Sequence, residues 1–110
     1  MAVIKQPWKP SEATRQINAI AGELNCDLAY TKHARNRMAE RNLIVSDALF
    51  LLKNGFVYRE PEESSIDGLY KYCVEGQTPN SGPRFLRLVV VPDPVACQIK
   101  IITAMWRDEP

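Results

Sequence analysis

Histidine occurs once in these 110 residues, cysteine three times, and no apolar run reaches membrane-spanning length. Each scarcity closes off a class of protein. Cys26, Cys73 and Cys97 are odd in number, widely spaced and free of any CxxC pair, so neither a zinc ribbon nor a disulfide framework is indicated. No signal-peptide pattern is read at the start, and the sequence is expected to be soluble and cytoplasmic, without a membrane partner. Charge of one sign is not in excess either: 14 Lys and Arg against 13 Asp and Glu leave a net charge of +1. That balance argues against broad binding to duplex DNA. There is no internal repeat and no low-complexity segment.

What is present is enough for a core. A hydrophobic share of 45% in a chain of this length gives one domain that needs no covalent staples. The neutral sum also hides a separation. Residues 31–41 carry Lys32, Arg35, Arg37 and Arg41 against Glu40 alone, while residues 60–67 carry Glu60, Glu62, Glu63 and Asp67 with no base. Such a pattern permits a local anion site, and equally two solvated patches of opposite sign.

The periodicities predict helices first and strands after. Residues 1–10 hold Pro7 and Pro10 around Trp8 and read as an extended arm, with Trp8 tacking it to the body. Ser11 is placed to cap a first helix over 12–25, in which Ala13, Ile17, Ile20 and Leu24 recur at helical spacing. A second helix begins after Thr31 as N-cap and ends near Arg41, with Asn42 as its stop. A third is capped by Ser46, has Asp47 at its positive end and a Val45–Phe50 staple, and ends at Asn54-Gly55.

Residues 56–59, 69–75, 84–91 and 96–104 then read as four strands joined by turn-rich segments. Leu88-Val89-Val90-Val91 is apolar on both parities and marks a central strand. In the last strand Cys97, Ile99 and Ile101 share the inward parity, and Thr103 continues it. The expected fold is α+β: two to three N-terminal helices on one face of a four-stranded antiparallel twisted sheet. Residues 1–10 form the arm, 11–27 an additional N-terminal helix and 28–105 the core of a single domain.

His33, Arg37 and Arg41 recur every fourth residue and, on a helix, fall within an arc of roughly 80°. An imidazole near its ordinary pKa of about 6.5 can give or take a proton at neutral pH. Arginine keeps its proton, and its planar fork matches phosphate oxygens. Cleavage of RNA by its own 2′-hydroxyl needs proton transfer and cations against the charged phosphorane. His33 as acid or base, with Arg37 and Arg41 as a phosphate clamp, meets that need without metal or cofactor. Thr103 is placed to line the groove between sheet and second helix. Lys32, one of Arg84 and Arg87 (which fall on opposite faces of their strand), and Trp106 are candidate substrate contacts. The structural alternatives stay open: a satisfied surface histidine, arginines paired with Glu40 or the acidic loop, Thr103 bonded to backbone, and Trp106 closing the core.

Thr31-Lys32-His33-Ala34-Arg35-Asn36-Arg37-Met38-Ala39-Glu40-Arg41, followed by Asn42-Leu43-Ile44, resembles the T-x-H-A-x-x-R-M-x-x-R-x-I motif of an uncharacterised bacterial and phage domain family. A weaker likeness continues through Leu88–Val91 and Ile101-Ile102-Thr103, so it spans about residues 28–105. That family looks distantly similar to the BrnT- and RelE-type toxins, small helix-plus-sheet ribonucleases of toxin–antitoxin modules. The resemblance implies an RNA-cleaving site between helices and sheet, with His33, Arg37, Arg41 and Thr103 at the matching positions. It also implies RNA and an antitoxin protein as partners. Leu43 intrudes between Asn42 and Ile44, where the family more often has a glycine before the isoleucine, and the first 25 residues have no counterpart.

Two functions are therefore carried forward. One is a metal-independent endoribonuclease of the toxin–antitoxin type. The other is a non-catalytic RNA- or protein-binding module on the same fold. In a variant of the first, the additional N-terminal helix covers the groove and blocks it.

Overall fold

Helix α1 spans Pro10–Gly22, strand β1 Asp27–Tyr30, α2 Lys32–Glu40 and α3 Val45–Asn54. Strands β2 Phe56–Val57, β3 Glu62–Glu63, β4 Tyr70–Gly76, β5 Leu86–Asp93 and β6 Gln98–Trp106 follow. The computed structural model describes residues 5–109, so the first four residues of the expected arm lie outside the described residues. The fold is α+β with three helices and a mixed sheet of six strands.

The expected four-stranded antiparallel sheet is corrected in two ways. The path runs β1-β6-β5-β4-β2, with β3 also paired to β4, and β1 lies parallel to β6 from Asp27↔Gln98 to Tyr30↔Ile101. Four residues without a β-branched side chain gave no strand signal; they pair because β6 offers them an edge. A parallel neighbour needs a long crossover, which α2, α3 and the strands after them provide. The strand expected from residue 84 starts at Leu86, leaving Arg84 in the preceding turn, and the last strand runs through Trp106 instead of ending at 104. Central placement of the Leu88–Val91 strand is observed: β5 lies between β4 and β6.

One hydrophobic cluster joins the helices to the inward parity of the sheet. Ile17 and Ala13 of α1, Ala34 and Met38 of α2, and Leu51 and Leu52 of α3 share it with Val74, Leu88, Val90, Ile99 and Ile101. Helix α1 starts at Pro10, whose missing N–H and fixed φ suit a first position, so Lys9 rather than Ser11 is the N-cap. It ends at Gly22, and Leu24, expected on its apolar face, is fully exposed. Asn18 of α1 donates to the Leu52 carbonyl at 2.7 Å and ties α1 to α3. Trp8 does tack the arm down: it is buried, stacks on Tyr72 at 5.4 Å between centroids, and its backbone N–H donates to the Tyr72 hydroxyl at 3.0 Å. Buried Gln6 completes the seam, accepting from the Tyr72 hydroxyl at 3.1 Å and donating to the Pro92 carbonyl at 3.1 Å.

The two helix stops work differently. Asn42 takes φ 57°, the left-handed turn that its sequence position predicts. Gly55 has φ −81°, and its need for glycine is space: a Cβ there would lie 2.7 Å from the Leu51 carbonyl oxygen and 2.9 Å from that of Glu75. Ser46 is not the cap of α3. Ile44 occupies that position, Val45 is the first helical residue, and Val45 and Phe50 both remain exposed. Asp47 reaches back to accept from the Ile44 N–H at 3.0 Å.

Parity in β6 changes at a bulge. Val90 faces Ile101 but Val89 faces Thr103, so Ile102 is the additional residue. Beyond it the inward positions are Ala104, fully buried, and Trp106, while Thr103 joins Val89 and Cys73 on the outward face. The expected inward Thr103 is thereby corrected. The Thr31 hydroxyl donates to the Ile102 carbonyl at 2.8 Å and accepts from the Ala34 N–H at 3.0 Å, so one side chain joins the bulge to the start of α2. Thr31→Val removes both bonds and is expected to lower unfolding free energy by about 1–2 kcal/mol in urea titration, with Thr31→Ser close to the parent. Equal midpoints for Thr31→Val and the parent would show that the junction contributes nothing.

Candidate functional site

Helix α2 lies along β6 and β1 because Ala34 and Met38 are buried beneath it. Its other sides are polar. His33 is exposed in the first turn and makes no hydrogen bond or ion pair among the described residues. Lys32 beside it is exposed, and Arg37, one turn on, is half-exposed; among the described residues its side chain has one ion pair, to Glu40 at 3.8 Å. No acid occupies the first turn. Lys32 places a permanent cation at the positive end of the helix dipole, and an anion bound there offsets that unfavourable charge by about 0.3–1 kcal/mol. Because His33 is exposed, α1 does not cover it; α1 packs against α3 and β2 instead.

Arg41 continues the same helix face but is engaged by protein. Its Nε donates to Glu109 Oε1 at 2.7 Å and its Nη2 to Oε2 at 2.5 Å, while Nη1 donates to the Arg37 carbonyl at 3.1 Å. The side chain is 9% exposed. Glu109 Oε1 also accepts from the Trp106 N–H at 2.8 Å. Arg41's hydrogen bonds, followed by that backbone bond, hold the Glu109 carboxyl down at about 2, from an ordinary 4.5. A phosphate reaching Arg41 has to displace a carboxylate already bound in the bidentate geometry that phosphate would use.

Glu109→Gln is expected to loosen this clasp and lower the melting temperature by a few degrees. The sign with pH is fixed. A carboxyl depressed by folding contributes stability that is complete above its unfolded value of 4.5 and lost as pH falls towards 2, so the difference between parent and Glu109→Gln narrows in acid. A difference that grows as pH falls would contradict the assignment.

Trp106 and Arg84 belong to the same corner. The Arg84 guanidinium lies 4.4 Å from the centroid of the Trp106 ring and donates to Asp108 at 2.8 Å. The structure thus brings Arg41, Arg84 and Trp106 together through residues 106–109, and leaves Lys32, His33 and Arg37 as the open part of α2.

Thr103 and Arg87 lie elsewhere, on the outward face of the sheet. They line a cleft of about 320 Å³ that does not include His33, Arg37 or Arg41. Arg87 pairs with the buried Glu75 at 3.5 Å. Sequence reasoning missed Glu109, which sits 68 residues from Arg41, and missed the cleft residues Arg59, Lys71 and Cys73. Alternation within 69–75 put Lys71, Cys73 and Glu75 on one parity, and that was the available signal for the cleft. Among the described residues no group of three or more His, Cys, Asp or Glu side chains could hold a metal ion. No described helix is long and apolar enough to cross a membrane.

No curated protein and no solved structure matches the chain. A family model does: Domain of unknown function (DUF4258) matches residues 30–106, from the end of β1 through α2, α3 and the strands to Trp106. Since that match takes in well over half of the chain, the protein belongs to the DUF4258 family.

Proposed function

We propose that this protein is a metal-independent endoribonuclease of the toxin type, acting through the exposed face of α2. The observation that carries this reading is the exposed His33, without a hydrogen-bond or ion-pair partner among the described residues, in a first helical turn without acids, with Lys32 beside it and Arg37 one turn on. The distant likeness of the motif's domain family to BrnT- and RelE-type toxins is the second ground for it. In this mechanism His33 takes the proton of a 2′-hydroxyl as that oxygen attacks the adjacent phosphorus. A 2′,3′-cyclic phosphate forms, the bond to the 5′-oxygen breaks, and the leaving oxygen takes a proton from solvent. Lys32 and Arg37 offset charge on the phosphorane. Arg41 holds the last turn of α2 through Glu109 unless RNA displaces that carboxylate.

A second reading, an RNA-binding module without catalysis, is favoured by one specific observation. His33 is the chain's only histidine, and the second arginine of the motif is already bound to Glu109. Three phosphate contacts by Lys32, Arg35 and Arg37 would give a log–log salt slope of about −2 on single-stranded RNA.

Induced expression in a bacterial host separates the two. The wild type is compared with the His33/Arg37/Arg41 triple alanine variant, and total RNA is end-mapped. Growth arrest with new RNA ends from the wild type alone is the expected result. Healthy growth, intact RNA and salt-dependent binding would replace the nuclease with the binding module.

A further inference from the structure

We propose that the outward sheet cleft is a second, separate binding site, which takes a phosphomonoester with a body of about nucleoside size. Its centre is Arg87. That side chain is 15% exposed, its Nε is buried without an acceptor among the described residues, and Nη2 meets only Glu75, at 3.5 Å. A guanidinium carries five donors in a fixed fork, and few of those on Arg87 find an acceptor among the described residues, which leaves donor capacity in the wall of the cleft it lines.

The sheet register builds the rest. Glu75, Arg87 and Met105 form one cross-strand row on this face, and Cys73, Val89 and Thr103 form the next. Arg59 and Lys71 add two cations to the lining, and neither makes an ion pair among the described residues. The Thr103 hydroxyl is a further donor. Val89, Ile102 and Met105 give an apolar shelf for a carbon body, and about 320 Å³ is at the small end of ligand pockets. Burial pushes the Cys73 thiol up to about 11 against the opposing effect of Arg87, so it stays neutral and does not compete with an anion.

The acids limit the charge of the ligand. Glu60 and Glu62 also line the cleft, and Glu62 stands opposite Lys71 in the β3–β4 ladder. Arg59, Lys71 and Arg87 against these two and Glu75 leave no net charge, so a polyphosphate or a continuous RNA strand is disfavoured and a single phosphate has to be held by local bonds at Arg87. The site shares no residue with the open face of α2 and stands whether or not RNA is cleaved there.

The test uses the full chain, titrated with adenosine 5′-monophosphate, adenosine 5′-triphosphate and inorganic phosphate. It is followed by NMR at the Arg87 Nε–H and at the amides of Cys73, Val89 and Thr103. The monophosphate is expected to shift all four signals and to bind more tightly than inorganic phosphate. Lys71→Ala on the rim should weaken it about tenfold, the size of one charge-assisted bond. His33→Ala should leave it unchanged. Thr103→Val, which keeps the shape of the sheet, should also weaken it. Unshifted signals at millimolar monophosphate would overturn the site. Equal affinity for inorganic phosphate would overturn the nucleoside-sized body, and tighter binding of the triphosphate would overturn the single-phosphate assignment.

Discussion

Replacing His33 by alanine is expected to lower RNA cleavage by about 10²- to 10⁴-fold, the usual contribution of a positioned proton-transfer group. The structure makes the experiment clean. His33 is exposed and has no hydrogen-bond or ion-pair partner among the described residues, so its removal leaves no buried group unsatisfied. Stability should stay within about 0.5 kcal/mol of the parent. Loss of cleavage at unchanged RNA affinity is the signature of proton transfer. Arg37→Ala, by contrast, should weaken cleavage and binding together, because a permanent cation meets the phosphate before and during reaction. If His33→Ala cleaves like the parent, α2 is not the reacting face. If it loses affinity and no cleavage was present to lose, the binding module is the better description.

The features legible in the sequence are those set within a turn or two of chain. Thr31 as N-cap and Asn42 as stop needed only their neighbours, and both stand as expected. The helix starts at Pro10 and Val45 were misplaced because Ser11 and Ser46 carry a capping side chain that the backbone does not use. β1 was invisible for a different reason. Asp27–Tyr30 has little strand propensity of its own, Tyr30 apart, and is held by β6, about 70 residues later.

Thr103 illustrates a third kind of failure. Alternation along β6 is sound until Ile102, where a single additional residue moves every later side chain to the other face. Nothing in Ile101-Ile102-Thr103 marks that position. The bulge becomes intelligible only with Thr31 in place to bond the Ile102 carbonyl. The candidate site was legible to the same extent. The α2 face follows from helical spacing, whereas the occupation of Arg41 depends on Glu109, and the outward cleft depends on which strands are neighbours.

Asp47 was read as a charge favouring the start of α3, and its larger role makes it the site of the greatest expected loss of stability. Its carboxylate is fully buried and accepts four hydrogen bonds. Oδ1 takes the Thr78 hydroxyl at 2.8 Å and the Asn80 N–H at 3.1 Å; Oδ2 takes the Asn80 side-chain amide at 2.9 Å and the Ile44 N–H at 3.0 Å. One carboxylate thus ties the start of α3 to the turn that joins β4 to β5. Asp47→Ala leaves those donors without an acceptor and should cost about 3 kcal/mol. Asp47→Asn keeps the shape but has one acceptor oxygen and should cost about 1–2 kcal/mol.

Burial pushes the Asp47 pKa up, but the bonds from Asn80, Ile44 and Thr78 outweigh it and hold the group below its ordinary 3.8. Its contribution is therefore complete above that value and is lost as pH falls through the folded one. Urea midpoints at neutral pH should separate parent from Asp47→Ala widely, and the gap should close in acid. A small gap at neutral pH, or one independent of pH, would mean that the turn after β4 is held by Thr78 and Ser81 alone, which hydrogen-bond each other at 2.7 and 3.0 Å.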